Sequence, residues 1–167
     1  MSVDAVQAVL DYLKENQLLL TTAESCTAGR MVALLSEIPG SGEVLESGYV
    51  VYSPTAKQRL LGVSAHTIDQ FGLTSIAVAQ EMAVGALKDS PATVAVATTG
   101  VAGPDPQGDI APGTLCFAWA FAGEPIAVFT RTLHFGGERE AVLHQAALYG
   151  LEQIQPFHQR CLRGERA

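Results

Sequence analysis

The chain has 167 residues, 48% hydrophobic and 16% charged, with 10 Lys and Arg against 17 Asp and Glu, a formal net charge of −7 at pH 7. An acidic chain with a pI near 5.0 lacks the basic stripe that phosphate neutralisation needs, which argues against a nucleic-acid partner. A mean hydropathy of +0.22 argues against disorder, and a single domain of this length buries roughly 70% of the surface its unfolded form exposes without a disulfide or metal staple.

Cys26, Cys116 and Cys161 have no metal-ligand spacing and cannot all pair within one chain, so no metal is expected and a reducing cytoplasm is the simplest reading. Met1 to Asp4 begins acidic, without the basic and apolar regions of a signal peptide. The longest apolar stretch, Leu115 to Gly123, is about half of a membrane span. A soluble cytoplasmic protein with no membrane partner is the expectation. No repeat, low-complexity block or linker divides the chain. Residues 1–155 therefore read as one domain and 156–167, with Arg160, Arg163 and Arg166, as a polar tail.

Val3, Val6, Val9, Leu10 and Leu13 recur at helical spacing and predict a helix over residues 3–15. Leu18 to Ala23 is short, apolar and partly β-branched, the signature of a buried parallel strand. It leads through Glu24 and Ser25 into an expected helix from Cys26 to Leu35, stopped by Pro39 and Gly40. Residues 44–52 read as a second strand. Ser53 and Pro54 then form an N-cap and first helical position, opening a short helix that carries Lys57 and ends at Leu61 and Gly62. Thr74 and Ser75 open a long helix to about Asp89, and Thr93 to Thr98 is a third buried strand that runs into a glycine and proline loop from Gly100 to Gly113. Strands Thr114–Phe121 and Ile126–Leu133 are close enough in sequence to demand an antiparallel hairpin. A helix from about Glu138 to Ile154 closes the domain. These elements imply a three-layer α/β/α fold, with a mixed, mostly parallel sheet of about five strands and one antiparallel hairpin.

In such sheets the ligand crevice lies beyond the carboxyl ends of the parallel strands. The turns at Glu24 to Thr27, at Tyr52 to Lys57 and at Thr98 to Gly103 are therefore the candidate sites. A hydroxyl at Ser25, where strand becomes helix, can face the crevice beside the free N–H groups of Cys26 and Thr27, as a nucleophile beside an oxyanion hole. The plainer alternative makes Ser25 a helix cap. None of His66, His134, His144 and His158 stands in a nucleophile pattern. Lys57, near the positive end of a helix dipole and neutral if desolvated, is the better base, with a solvated surface lysine as the alternative. Tyr52 can orient a proton or simply cap the core. Cys26 has the helix-terminal location that activates a thiol but no partner, and ranks behind Ser25.

The residues Glu24-Ser25-Cys26-Thr27-Ala28-Gly29, the run Gly48 to Ser53 with Lys57 and Leu60-Leu61-Gly62-Val63, and Thr99-Gly100-Val101-Ala102-Gly103-Pro104 together resemble the CinA C-terminal domain family. The likeness spans about residues 5–154. Stand-alone members of that family include nicotinamide mononucleotide amidohydrolases. The resemblance implies metal-free and cofactor-free hydrolysis of the carboxamide of a small nucleotide substrate, within pyridine-nucleotide salvage. By similarity Ser25 is the nucleophile, Lys57 the base, Tyr52 an assistant in proton transfer and Thr99 a substrate-positioning or oxyanion-side residue. Cys26, Thr27, Gly100 and Arg139 are expected on the substrate side. An arginine near a helix start, beside free N–H groups, suits a 5′-phosphate; the alternative is a surface ion pair with Glu138 or Glu140.

Four features depart from the family pattern. Ala28 stands where a glycine is usual, Pro54 replaces an asparagine and Leu143 replaces a second arginine. The 104–112 loop replaces a glycine-rich stretch ending in Lys-Pro. A catalytically silent or differently specific nucleotide-binding module is the competing expectation, and a structural role in a larger complex a third. A homo-oligomer, dimer or higher, is the general expectation for a soluble enzyme.

Overall fold

A computed structural model describes residues 2–167, and its elements follow from local patterns. Helix α1 (Ser2–Glu15) turns Val6, Val9, Leu10 and Leu13 inward. Strand β1 (Leu20–Glu24) is buried along its whole length. A turn leads to α2 (Arg30–Ser36), a short 3-10 turn, and the edge strand β2 (Leu45–Val50). Helices α3 (Pro54–Leu61), α4 (Ala65–Phe71) and α5 (Ile76–Lys88) precede β3 (Val94–Gly100). The hairpin strands β4 (Thr114–Phe121) and β5 (Ala127–His134) precede α6 (Arg139–Glu152) and α7 (Ile154–Leu162).

The five strands are ordered β2-β1-β3-β4-β5. β1 pairs parallel with β2 and with β3, while β3–β4 and β4–β5 are antiparallel. The sheet is thus evenly mixed and not mostly parallel, because β4 joins β3 antiparallel after the 101–113 loop. From β1 the chain moves outward to β2 and then returns past β1 to β3. The two crossovers run over opposite faces, so a switch point lies between the carboxyl ends of β1 and β3, where α/β sheets bind ligands.

The two faces of the sheet differ in size of side chain. Along β4, Leu115, Phe117, Trp119 and Phe121 point to one face, and Cys116, Ala118 and Ala120 to the other. The large face is covered by α1, α2, α6 and α7. The small face lets α5 sit close, with Val78, Ala79, Met82, Ala83 and Ala86 buried against Ala95, Ala97, Ala118 and Ala120.

Four expectations need correction. The helix expected from Cys26 begins at Arg30, because Ala28 and Gly29 take left-handed φ values of 53° and 92° that end any continuous run. Helix α4 was absent from the sequence reading; Ser64 caps it, accepting from the His66 and Thr67 N–H groups. The last helix is two, divided at Gln153. Residues 156–167 are not simply a polar tail: Phe157 is buried against Trp119 and Phe129, the Arg160 guanidinium lies 4.9 Å from the Phe129 ring centroid, and the Val128 N–H donates to the Arg166 carbonyl. Their apolar positions are helically spaced, and the Arg160 guanidinium lies over both the Phe129 and Phe157 rings.

Candidate active site

Side-chain alternation sets the site. Leu20 at the start of β1 faces the large-residue core, and Glu24 shares its side, toward α2. Ala23 faces the small-residue core, and Ser25, one step past the strand, emerges on that side toward α3. On β3, Thr98 turns to the Thr27 hydroxyl and Thr99 to the loop before α5. Ser25 is held by its own N–H, which donates to the Thr98 carbonyl at 3.1 Å. It is not a helix cap: Gly29 occupies the N-cap of α2.

Lys57 reaches Ser25 because α3 is bounded at both ends. Ser53 Oγ accepts from the Ala56 N–H at 3.0 Å, Pro54 pre-sets the first turn, and Gly62 ends the helix in a left-handed conformation. Helical side chains tilt toward the N-terminus. Lys57 therefore points back over the end of β2, where Nζ donates to Ser25 Oγ at 3.0 Å and to the Val51 and Tyr52 carbonyls at 2.9 Å each. At 1% exposure it is among the most enclosed side chains of the protein, and burial lowers its pKa from the usual 10.5.

The three acceptors have a chemical consequence. A carbonyl can only accept, so a neutral Lys57 amine directs its two N–H bonds to Val51 and Tyr52. Its lone pair is then left for the Ser25 hydroxyl proton. The two carbonyls thus aim the Lys57 amine at Ser25.

The Cys26 thiol is held protonated: burial pushes its pKa up to about 11, against the opposing pull of nearby N–H groups, Arg139 and Lys57. The Cys26 and Thr27 N–H groups donate to no oxygen among the described residues. Both act on the Cys26 sulfur, where their pull opposes the effect of burial.

Ser25, Cys26, Tyr52, Lys57, Thr99, Gly100 and Arg139 line one cavity of about 500 Å3, together with Leu73, Thr74 and residues 101–107. Thr27 lies behind it, fully buried, with its hydroxyl on Glu24 and Thr98. Tyr52 is 56% exposed and its hydroxyl donates weakly to the Cys26 carbonyl at 3.5 Å. Its backbone carbonyl, not its hydroxyl, is what touches Lys57. Thr99 donates its only hydroxyl proton to the Leu73 carbonyl at 2.9 Å. It therefore offers the cavity acceptor lone pairs, which suit an amide N–H and not an oxyanion. Arg139, the first residue of α6, donates to the Gly103 carbonyl and makes no ion pair with Glu138 or Glu140 among the described residues. Gly100 is confined by its neighbours, since a β-carbon there would lie 2.4 Å from the Thr114 carbonyl oxygen.

Leu143 is 4% exposed in the core and does not line the cavity, so it is not a contact missing from the cavity wall. The sequence reading also missed Glu24 as a fully buried carboxylate and Leu73 and Thr74 as cavity walls. A charged residue ending an otherwise uncharged buried strand was the available signal for the first. A second cleft of about 520 Å3 between α3 and α5, lined by Leu60, Gly62, Gln80 and Lys88 among others, contains no Ser, Thr or Cys.

A three-layer α/β domain with a serine and a buried lysine in hydrogen-bond contact at its switch point belongs, by the comparisons that follow, to the class of hydrolases. The model of the CinA C-terminal domain family matches residues 3–157, and the chain belongs to that family. It is 44% identical over 144 residues to the nicotinamide-nucleotide amidohydrolase PncC of Escherichia coli (strain K12), a match covering 85% of this chain and 86% of that one. It is 36% identical over 148 residues to protein YdeJ of the same strain, covering 88% and 84%. A crystal structure of a CinA superfamily protein from Escherichia coli superposes with a TM-score of 0.88 at 33% identity, covering 94% of this chain and 90% of that one. No helix among the described residues is long and apolar enough to cross a membrane.

Proposed function

We propose that this protein hydrolyses the carboxamide of nicotinamide mononucleotide to nicotinate mononucleotide and ammonia. The observation that carries the reading is the 3.0 Å contact between Ser25 Oγ and the enclosed Lys57 Nζ, supported by 44% identity to a nicotinamide-nucleotide amidohydrolase. Neutral Lys57 takes the hydroxyl proton as Ser25 Oγ attacks the carboxamide carbon, and the oxyanion that forms accepts from the Cys26 and Thr27 N–H groups. The C–N bond breaks as the Lys57 ammonium returns its proton to the leaving nitrogen, giving ammonia and an ester on Ser25. Water, deprotonated by Lys57, then attacks the ester, releasing the carboxylate and restoring the Ser25 hydroxyl. Thr99 holds the amide nitrogen through its free lone pairs. Arg139, at the mouth of the cavity, engages the 5′-phosphate.

The test is ammonia release from nicotinamide mononucleotide beside nicotinamide, glutamine and the dinucleotide. Release selective for the mononucleotide is expected. Thermal stabilisation by the mononucleotide without ammonia would replace this reading with that of a binding module.

A further inference from the structure

Glu24 is fully buried, immediately precedes Ser25, and takes no part in the chemistry just described. Four donors converge on its two oxygens. Oε1 accepts from the Thr27 hydroxyl at 2.7 Å and the Met31 N–H at 3.1 Å; Oε2 accepts from the Thr22 hydroxyl at 3.1 Å and the Val32 N–H at 3.3 Å. Met31 and Val32 lie in the first turn of α2, whose N-cap, Gly29, has no side chain to satisfy them. Glu24 thus caps from a distance the helix that follows the nucleophile turn, and its side chain spans that turn from beneath.

The connection continues into β3. Because Thr27 gives its hydroxyl proton to Glu24, the 2.8 Å contact between the Thr27 and Thr98 hydroxyls is a donation from Thr98. Thr98 also receives the Ser25 N–H on its carbonyl. The Ser25–Gly29 turn is therefore pinned at Ser25, Thr27 and the start of α2. Its φ values of 53° at Ala28 and 92° at Gly29 are ones a free chain seldom holds together.

We propose that Glu24 is a positioning residue for the nucleophile: by fixing Thr27 and the first N–H groups of α2, it holds the Ser25–Thr27 backbone in place and Ser25 Oγ against Lys57. This rests on Ser25 being the nucleophile. Glutamine at position 24 keeps the length and the volume, but its amide nitrogen faces at least one N–H with no acceptor to offer. Valine at position 27 removes the hydroxyl that links Glu24 to Thr98 at nearly constant shape.

The test reads the nucleophile without assuming the substrate. The rate at which a serine-reactive organophosphonate labels Ser25 is followed by mass spectrometry across pH for the wild type, Glu24→Gln, Thr27→Val and Ser25→Ala, at a temperature well below the melting point of each. Wild type labels and Ser25→Ala does not. Glu24→Gln and Thr27→Val, with native circular dichroism, label at least 10-fold more slowly at saturating reagent, with the same pH midpoint as the wild type, because Lys57 is untouched. Labelling of either folded variant at the wild-type rate, or a moved midpoint, overturns the positioning role. If Glu24→Gln does not fold, Thr27→Val decides. An unlabelled wild type overturns the nucleophile assignment itself, and the positioning role with it.

Discussion

In the proposed mechanism, the enclosure that makes a Lys57 ammonium unfavourable is what prepares it as a base. Burial lowers its pKa from the usual 10.5, and the sign of the effect on stability follows. Below the folded-state pKa both folded and unfolded chains carry the proton, and the folded state bears the full burial cost. As pH rises through the folded-state pKa, the native lysine releases its proton while the unfolded one keeps it to about 10.4, so the unfolded chain binds more protons and stability rises. Urea denaturation at pH 7, 8.5 and 10 should therefore show the wild type gaining on Lys57→Met as pH increases. A relative loss would contradict the burial argument. The same substitution removes the proposed base and should lower kcat by about 10²–10⁴-fold, abolishing the rise of kcat/KM with pH. Lys57 was legible in the sequence through its place after Ser53 and Pro54, but its two carbonyl partners were not, because nothing in the side-chain pattern records where backbone oxygens point.

Helix α3 and the Ser25–Gly29 turn carry the two halves of the site, and each has a glycine-dependent weakness that can be tested. Gly85 on α5 lies so close to α3 that a β-carbon there would stand 1.9 Å from the Leu61 carbonyl oxygen. Gly85→Ala must push α3 outward, at a cost of about 1–3 kcal/mol, and should lower ammonia release in the fraction that remains folded, because α3 holds Lys57. Wild-type stability in that variant would show that α3 is not held as described. Ala28 has the opposite problem, a methyl group on a left-handed residue with φ of 53°. Ala28→Gly relieves the strain but loosens the unfolded chain, and a net gain of up to about 1 kcal/mol is expected in chemical denaturation. The caps of α3 and α5 were readable from Ser53, Pro54, Gly62 and Ser75. The start of α2 was not, since the left-handed φ values of Ala28 and Gly29 that keep residues 26–29 out of the helix leave no mark in the side-chain pattern. Helix α4, with seven residues, is too short to show a hydrophobic period.

For the whole molecule, the placement of the site follows from the order of the strands. The chain visits β1, β2 and β3 so that Ser25, Tyr52 and Thr99 leave three neighbouring carboxyl ends, with α2 behind one and α3 to α5 in front of the others. Buried runs separated by helical segments were enough to read that much. The antiparallel half of the sheet was readable only as a hairpin, because the 101–113 loop carries no mark of the direction in which β4 returns to β3. The C-terminal helix was hidden behind its arginines, whose charges suggested solvent, while the Arg160 guanidinium in fact lies over Phe129 and Phe157. The central claim, that this crevice brings Ser25 to an enclosed lysine base for amide hydrolysis, is tested most directly by one measurement. Ammonia release from nicotinamide mononucleotide is compared between wild type and Ser25→Ala, after confirming that both melt cooperatively. Turnover in the wild type and its loss to background in the variant is the predicted result; a folded Ser25→Ala protein that turns over within about tenfold of wild type, a loss under about 1.4 kcal/mol of transition-state stabilisation, would contradict it.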